Sequence, residues 1–323
     1  SLNDGFFKSV FDTGSGFPDV SHVWEGDSPW VGNVDRFDFS STASALEADD
    51  HLDMFIARET VKFLRAYQDQ PFCLTASFMK PHPPFFSPRE WAEQYTPESM
   101  DLLPIGDISK YPEHIQKRVA RTQGMGEKRI RAHKAGYMGN VAFVDHCIGK
   151  VLDGLDALGL WDNTIVVYTS DHGEMGGEHG IYQKFCMFDP AVKVPLMVSY
   201  PPSIPQGKVT EALTEYFGLY PTLSDLAGLP APDKTTVVDF DGACEQMDAT
   251  SFAEVLRHPE ADGPDAIFSE HGLRSNLASY LVRTEQFKYV HNAGGSCHEV
   301  YDLEHDPGEF HNLIDEAAYQ SVV

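Results

Sequence analysis

The chain has 323 residues, enough for one large α/β domain with a small appendage, and 42% of them are hydrophobic, an ordinary globular balance. A formal net charge of −25 argues against nucleic acid as a partner, because phosphate-backbone binders concentrate positive charge. No apolar run approaches the roughly 18 residues of a membrane-spanning helix, so no membrane partner is expected.

Residues 1 to about 48 read as loop-rich, with Gly, Asp and Ser between scattered aromatics. Asp50 to Tyr67 reads as a helix, because Leu52, Phe55, Ile56, Val61, Phe63 and Leu64 recur at helical spacing. Pro71 to Phe78 (PFCLTASF) reads as a strand, stopped by Pro81, Pro83 and Pro84. An irregular excursion follows, to about Gly126. Lys117 to Lys134 carries seven Lys/Arg against one Glu. It reads as a solvated helix face, with a local anion-holding site as the alternative.

Ile130 to Leu158 has the apolar stripe of a long helix, ended by Gly159. Thr164 to Tyr168 is short, β-branched and uncharged, as a buried strand of an α/β sheet would be. Val194 to Tyr200 reads as another strand, closed by Pro201 and Pro202, and Ala212 to Leu226 as a helix capped by Gly228. From about residue 264 the character changes. Asp265 to Glu270 and Ser279 to His291 suggest an antiparallel meander, followed by a strand at Val300 to Leu303 and a turn at Asp306 to Gly308. The expected architecture is a mixed α/β sheet covered by helices over residues 1–262, with a small antiparallel α+β subdomain over 263–323.

The five cysteines, Cys73, Cys147, Cys186, Cys244 and Cys297, form no CxxC pair, so no zinc ribbon is indicated. Cys73 and Cys147 lie in apolar patterns and are expected to be inert core thiols. The odd count and the lack of an N-glycosylation sequon lean towards a reducing or bacterial setting, and the compartment stays open.

The chemistry concentrates in TSDHGEMGGEHGIYQK, Thr169 to Lys184, at the carboxyl end of the strand beginning at Thr164. Open α/β sheets bind ligands at that end. Asp171 and His172 are adjacent, and neighbours on an extended chain point in opposite directions. Both reach one metal only if the chain turns, which Gly173 permits. The alternative is an Asp that caps a turn beside a solvent-facing His. Lys184 is a point charge suited to an anionic oxygen, or by itself a surface lysine. His179, in a glycine-rich stretch, is by itself a loop residue. Lys80 and His82 sit in a proline-stiffened loop after the first strand, where an acid or base can be held. Taken together, two strand ends that each present Lys and His, one with an acid, suggest a cationic, metal-bearing pocket for a tetrahedral oxyanion.

Four segments resemble the sulfatase family of the alkaline phosphatase superfamily: PFCLTASFMKPHPPF (71–85), FVDHCIGKVLDGLDALGLWDNTIVVYTSDHGE (143–174), GEHGIYQKFCMFDPAVKVPLMV (177–198) and VYDLEHDPGEFHNL (300–313). SDHG, GEHG and KPH look most like the branch holding iduronate-2-sulfatases and choline sulfatases. The resemblance implies an alkaline-phosphatase-like fold and a sulfuric ester hydrolase. It makes Asp171 a ligand of a divalent metal, usually Ca²⁺, and puts His172 at the neighbouring ligand position. It makes Lys184 a contact to sulfate and the leaving group, His82 a general acid, and Lys80 and His179 substrate-pocket residues.

The family pattern also contains paired aspartates at a first strand end, and a C/S-x-P-S-R motif whose Cys or Ser becomes formylglycine. Neither occurs in this sequence. The nucleophile and remaining metal ligands are therefore expected from a segment outside this chain, either removed from it or carried on a second polypeptide, and the unfilled sheet is expected to expose apolar surface. The unbroken motifs favour this over a non-catalytic, sulfatase-like binding protein. A phosphodiesterase or phosphonate monoester hydrolase on the same fold is the other reading. The expected substrate is an anionic sulfate ester of a small molecule or sugar.

Overall fold

The structure is a computed structural model and describes residues 43–44, 46–230, 249–272, 278–295 and 297–322. Nearly all of the expected N-terminal loop region, and Cys244, lie outside the described residues. The main elements in chain order are α1 (Leu52–Tyr67), α2 (Glu113–Gln123), α3 (Glu127–Ala157), β1 (Val166–Thr169), β2 (Leu196–Ser199), α4 (Leu219–Leu226), β3 (Ile267–His271), β4 (Ser279–Arg283), β5 (Phe287–Asn292) and β6 (Glu299–Asp302). None of the described helices is long and apolar enough to cross a membrane. The chain divides into two compact units: residues up to Asp101 with Lys128–Gly154, and Leu102–Glu127 with the residues from Leu155 on.

In the first unit, α1 and α3 share a core of Met54, Ala57, Trp91, Phe143 and Cys147, all buried. Gly154 lets the two helices approach, since a Cβ there would lie 2.8 Å from Val61 Cγ2. α3 begins three residues before the expected Ile130, just after Gly126, whose φ of +83° is a left-handed helix stop. Its other end is a Schellman cap. Leu160 N–H donates to Leu155 C=O at 3.1 Å and Gly159 N–H to Asp156 C=O at 2.9 Å, with Gly159 at φ +65°.

The stretch 71–78 departs from expectation: among the described residues it forms no strand ladder. An apolar segment becomes a strand only beside a hydrogen-bonding neighbour. Leu74 is 38% and Met79 51% exposed, and Cys73 is exposed, not a core thiol. Cys147 is buried as expected, and burial pushes its thiol pKa up to about 12.

In the second unit, β1 and β2 form a two-stranded antiparallel ladder with Val167 opposite Val198 and Tyr168 opposite Met197. β1 is half-buried, not the fully buried strand expected. Val198 and Ile165 pack onto Ile204, Leu226 and Ala253, whereas Tyr168 and Met197 are exposed. α4 is shorter than expected, preceded by a 3₁₀ turn at Tyr216–Gly218. Pro221 sets that limit, because its ring lacks an N–H and crowds the carbonyl four residues back. Gly228 does cap it: Leu229 N–H donates to Ser224 C=O and Gly228 N–H to Asp225 C=O. The meander is present as a four-stranded antiparallel sheet, β3-β4-β5-β6. Its last strand contributes Tyr301 to a core with Tyr111, Ile115, Val119, Met175, Ile181 and Phe188.

The basic run 117–134 is not one face. It is split between α2 and α3, and its two parts fall in different units. Lys117 is solvated, paired with Glu113 at 2.7 Å. Arg131 donates to the Met100 carbonyl, and Lys134 to the Asp101 carbonyl at 3.2 Å.

Candidate active site

Asp171 and His172 follow β1 directly. Thr169 Oγ1 donates to the Pro195 carbonyl at 2.9 Å, and Ser170 Oγ to the His172 carbonyl at 2.9 Å, so the chain bends as it leaves the strand. His172 N–H donates to Asp171 Oδ1 at 3.0 Å, which is the turn-capping role. His172 Nδ1 lies 2.9 Å from the Gly173 carbonyl. That contact places a proton on Nδ1. Nε2 lies 3.4 Å from Asp171 Oδ2. The two readings of this pair are therefore compatible: one carboxylate oxygen caps the turn while the other converges with the imidazole.

Gly173 serves this turn through space rather than through an unusual φ. Its N–H donates to the Ala191 carbonyl at 2.8 Å, and a Cβ would lie 2.0 Å from the Pro190 carbonyl oxygen. Backbone cannot yield as a flexible side chain does. Gly173→Ala is expected to cost about 1–3 kcal/mol, the usual range for overpacking. A urea unfolding midpoint unchanged from wild type would rule this out.

A carboxylate oxygen and an imidazole nitrogen at this separation suit two neighbouring positions around a divalent cation, with the imidazole oriented by its backbone acceptor. They fit a metal as part of a ligand set, since a hard cation such as Ca²⁺ takes six to eight oxygens. The one cluster of three metal-ligating side chains among the described residues lies elsewhere, at Asp302, Glu304 and His305. There the Asp302 carboxylate accepts from the backbone N–H of Glu304 and His305 and from Gln286, so it caps a turn.

The segment between His172 and Lys184 is held from within by Glu174, which sequence reasoning passed over. Its Oε1 accepts from Gly176 N–H at 3.2 Å and Gln183 N–H at 2.5 Å. Burial pushes its carboxyl pKa up, against these donors and the positive charge of Lys184. His179 is enclosed and 0% exposed. Its ring stacks on Phe188 at 3.9 Å, faces Phe310 at 5.0 Å, and hydrogen-bonds to the Tyr111 hydroxyl at 2.8 Å. Burial lowers its pKa to about 4, so the ring is neutral and works as packing. Lys184 is partly buried, with Nζ 5.8 Å from the centre of the exposed Phe185 ring.

Lys80 and His82 belong to the first unit. Buried Asp53 fixes their loop by accepting from Met79 N–H at 2.7 Å and Lys80 N–H at 3.0 Å. Lys80 Nζ donates to the Pro84 carbonyl at 2.7 Å. Burial lowers the Lys80 pKa to about 8, although Asp53 pulls it up. His82 is exposed, with Nδ1 2.6 Å from the Pro83 carbonyl.

Among solved structures, the fold is that of the phosphonate monoester hydrolase of Agrobacterium radiobacter, with a TM-score of 0.72 and 26% identity, over 88% of this chain and 60% of that one. The fold class is accordingly the alkaline-phosphatase-like α/β class. The sulfatase family model matches residues 3–229, and a model of the N-sulphoglucosamine sulphohydrolase C-terminal region matches 177–323. The chain belongs to the sulfatase family. It is 28% identical to an arylsulfatase of Clostridium perfringens over 85% of this chain and 56% of that protein. It is 26% identical to a choline-sulfatase of Rhizobium meliloti over 88% of this chain and 55% of that protein. The chain thus spans little more than half the length of these relatives.

Proposed function

We propose that the whole protein hydrolyses a sulfuric ester. The observation that carries this reading is the convergence of Asp171 Oδ2 and His172 Nε2 at the carboxyl end of β1, at the head of the braced loop that leads to Lys184. The metal, when bound by Asp171 and His172, would supply Lewis-acid polarisation of the sulfate. Lys184 neutralises a sulfate oxygen as charge develops on it. Lys80 belongs to the substrate side as a cation, whereas the enclosed His179 serves only by packing the loop in place. In the reaction, a nucleophile oxygen forms a bond to sulfur, the bond from sulfur to the ester oxygen breaks, and His82 gives its proton to the departing alcohol. The nucleophile is assigned to a formylglycine on a segment outside this chain, because none of the five cysteines lies in C-x-P-S-R. The four-stranded sheet supports reading 263–323 as a C-terminal subdomain that follows a catalytic domain over 1–262.

A phosphodiesterase or phosphonate monoester hydrolase is the second reading, favoured by the likeness to the Agrobacterium enzyme. Side-by-side turnover of an aryl sulfate and an aryl phosphodiester by the complete protein separates them. Faster sulfate cleavage supports the proposal. Faster diester cleavage replaces it with the second reading. Anion binding without turnover of either points to a binding protein.

The lowered pKa of Lys80 gives a pH prediction of definite sign. Its positive charge is lost as pH rises through about 8, so substrate affinity should weaken above that pH, by up to about tenfold per pH unit. Stability moves the other way. A base whose pKa is lowered by folding is penalised below about 8, and the penalty is relieved as pH rises towards the ordinary lysine value of 10.5, so unfolding does not mimic the effect. Lys80→Arg, which stays charged, should carry the alkaline limb upward. An identical limb in both proteins would remove Lys80 from the pocket.

A further inference from the structure

Lys184 sits in a backbone that L-residues avoid. Its neighbours Gln183 and Phe185 have φ of +68° and +70°, and His179, earlier in the same loop, has φ +53°. A left-handed backbone crowds the Cβ of a non-glycine residue, so such conformations persist only where their surroundings impose them. Glu174 satisfies N–H groups on the inner side. The carbonyls on the other side are taken by one residue, Arg118 of α2. Its NH2 donates to the Tyr182 carbonyl at 2.7 Å and the Lys184 carbonyl at 2.6 Å, and its NH1 to the Phe185 carbonyl at 3.0 Å.

The base from which Arg118 reaches is rigid. On either side of it along α2, Ile115 and Val119 are buried in the core that also holds Met175, Ile181 and Cys186, so helix and loop are pinned to the same cluster. A guanidinium can bind three carbonyls because its donors form a planar fork, whereas an ammonium is a compact point donor. With the carbonyls tied inward, the Phe185 side chain turns outward, 51% exposed, with Lys184 Nζ beside it.

We propose that Arg118 is a positioning residue for Lys184: its guanidinium holds three carbonyls of the 182–185 segment in the left-handed turn that presents the Lys184 ammonium. The catalytic consequence rests on Lys184 being the sulfate contact of the proposed function, whereas the positioning itself does not.

Two readouts separate these. The first is hydrogen exchange with mass spectrometry on the complete protein. Arg118→Ala should speed exchange in peptides spanning 174–188 by about tenfold or more, as expected when a locally closed segment opens. Lys117→Ala, which removes a charge from the exposed side of the same helix, should leave exchange at the wild-type rate. Arg118→Lys should fall between. Unchanged exchange in Arg118→Ala overturns the proposal whatever the enzyme hydrolyses.

The second readout is kinetic. Arg118→Ala should lower kcat about 10- to 100-fold, the scale of a catalytic group displaced by about an ångström. In a Lys184→Ala background it should lower kcat no further, because the two act as a unit. Full additivity would overturn the coupling to Lys184. If the wild-type protein turns over neither ester, the proposed function fails while the exchange experiment still decides the clamp.

Discussion

Lys288→Met is expected to destabilise the protein by about 3–5 kcal/mol, the penalty for removing one partner from a buried ion pair. Lys288 is 0% exposed on β5, and its ammonium contacts the carboxylates of Asp189 and Glu309 and the Met187 carbonyl. Arg283 on β4 grips Asp189 through both carboxylate oxygens, at 2.6 and 2.5 Å. Asp189 N–H in turn donates to Glu309 Oε2 at 2.6 Å. Burial alone would raise the Asp189 pKa, but Lys288 and Arg283 outweigh it and hold it low. For Glu309 burial wins and pushes the pKa up to about 7, with Asp189 adding to it. Without Lys288 the two carboxylates would face each other with one cation fewer.

The effect should reach the site, because Pro190 and Ala191 form the surface on which Gly173 is seated. Urea unfolding of wild type, Lys288→Met and Lys288→Met/Glu309→Gln tests it. The double variant should recover part of the loss, since it removes the stranded charge with its partner. A loss below about 1 kcal/mol in the single variant would mean that the network is dispensable, as some buried ion clusters are.

Asp171→Ala is expected to lower kcat by at least about 10²–10³-fold in the complete protein, the scale for losing one preorganised electrostatic group at a reacting centre. It should also release metal, which atomic emission of the dialysed protein reads without reference to turnover. Its effect on the fold should be small, because the Asp171 side chain is 84% exposed and Oδ1 accepts only local hydrogen bonds, from the His172 N–H and the Ser170 hydroxyl. Thermal unfolding close to wild type, with loss of both metal and turnover, is therefore the expected pattern. Undiminished hydrolysis would sink the metal assignment. Turnover lost with metal retained would leave Asp171 a role on substrate only.

Much of the site was legible because its signals are local. A β-branched run followed by SDHG marks a strand end carrying a carboxylate and an imidazole, and the turn that lets them converge is made by neighbouring atoms. The long helix, its C-terminal glycine, the α4 cap and the C-terminal meander were readable for the same reason: period, caps and turns are written within a few residues.

What stayed hidden depends on contacts far apart in the chain. Whether 71–78 forms a strand is decided by a neighbour, not by PFCLTASF itself. Whether Cys73 is core or surface follows from that. Arg118 lies in a run of charges that looks solvated, and only the fold carries it to carbonyls 64 to 67 positions away. His179 looked like a loop histidine, and aromatic rings from three separate stretches enclose it. The sequence by itself determined which residue types meet at the end of β1. Only the tertiary structure decided which of them face solvent and which hold the others in place, because burial and long-range hydrogen bonds are properties of the packed chain.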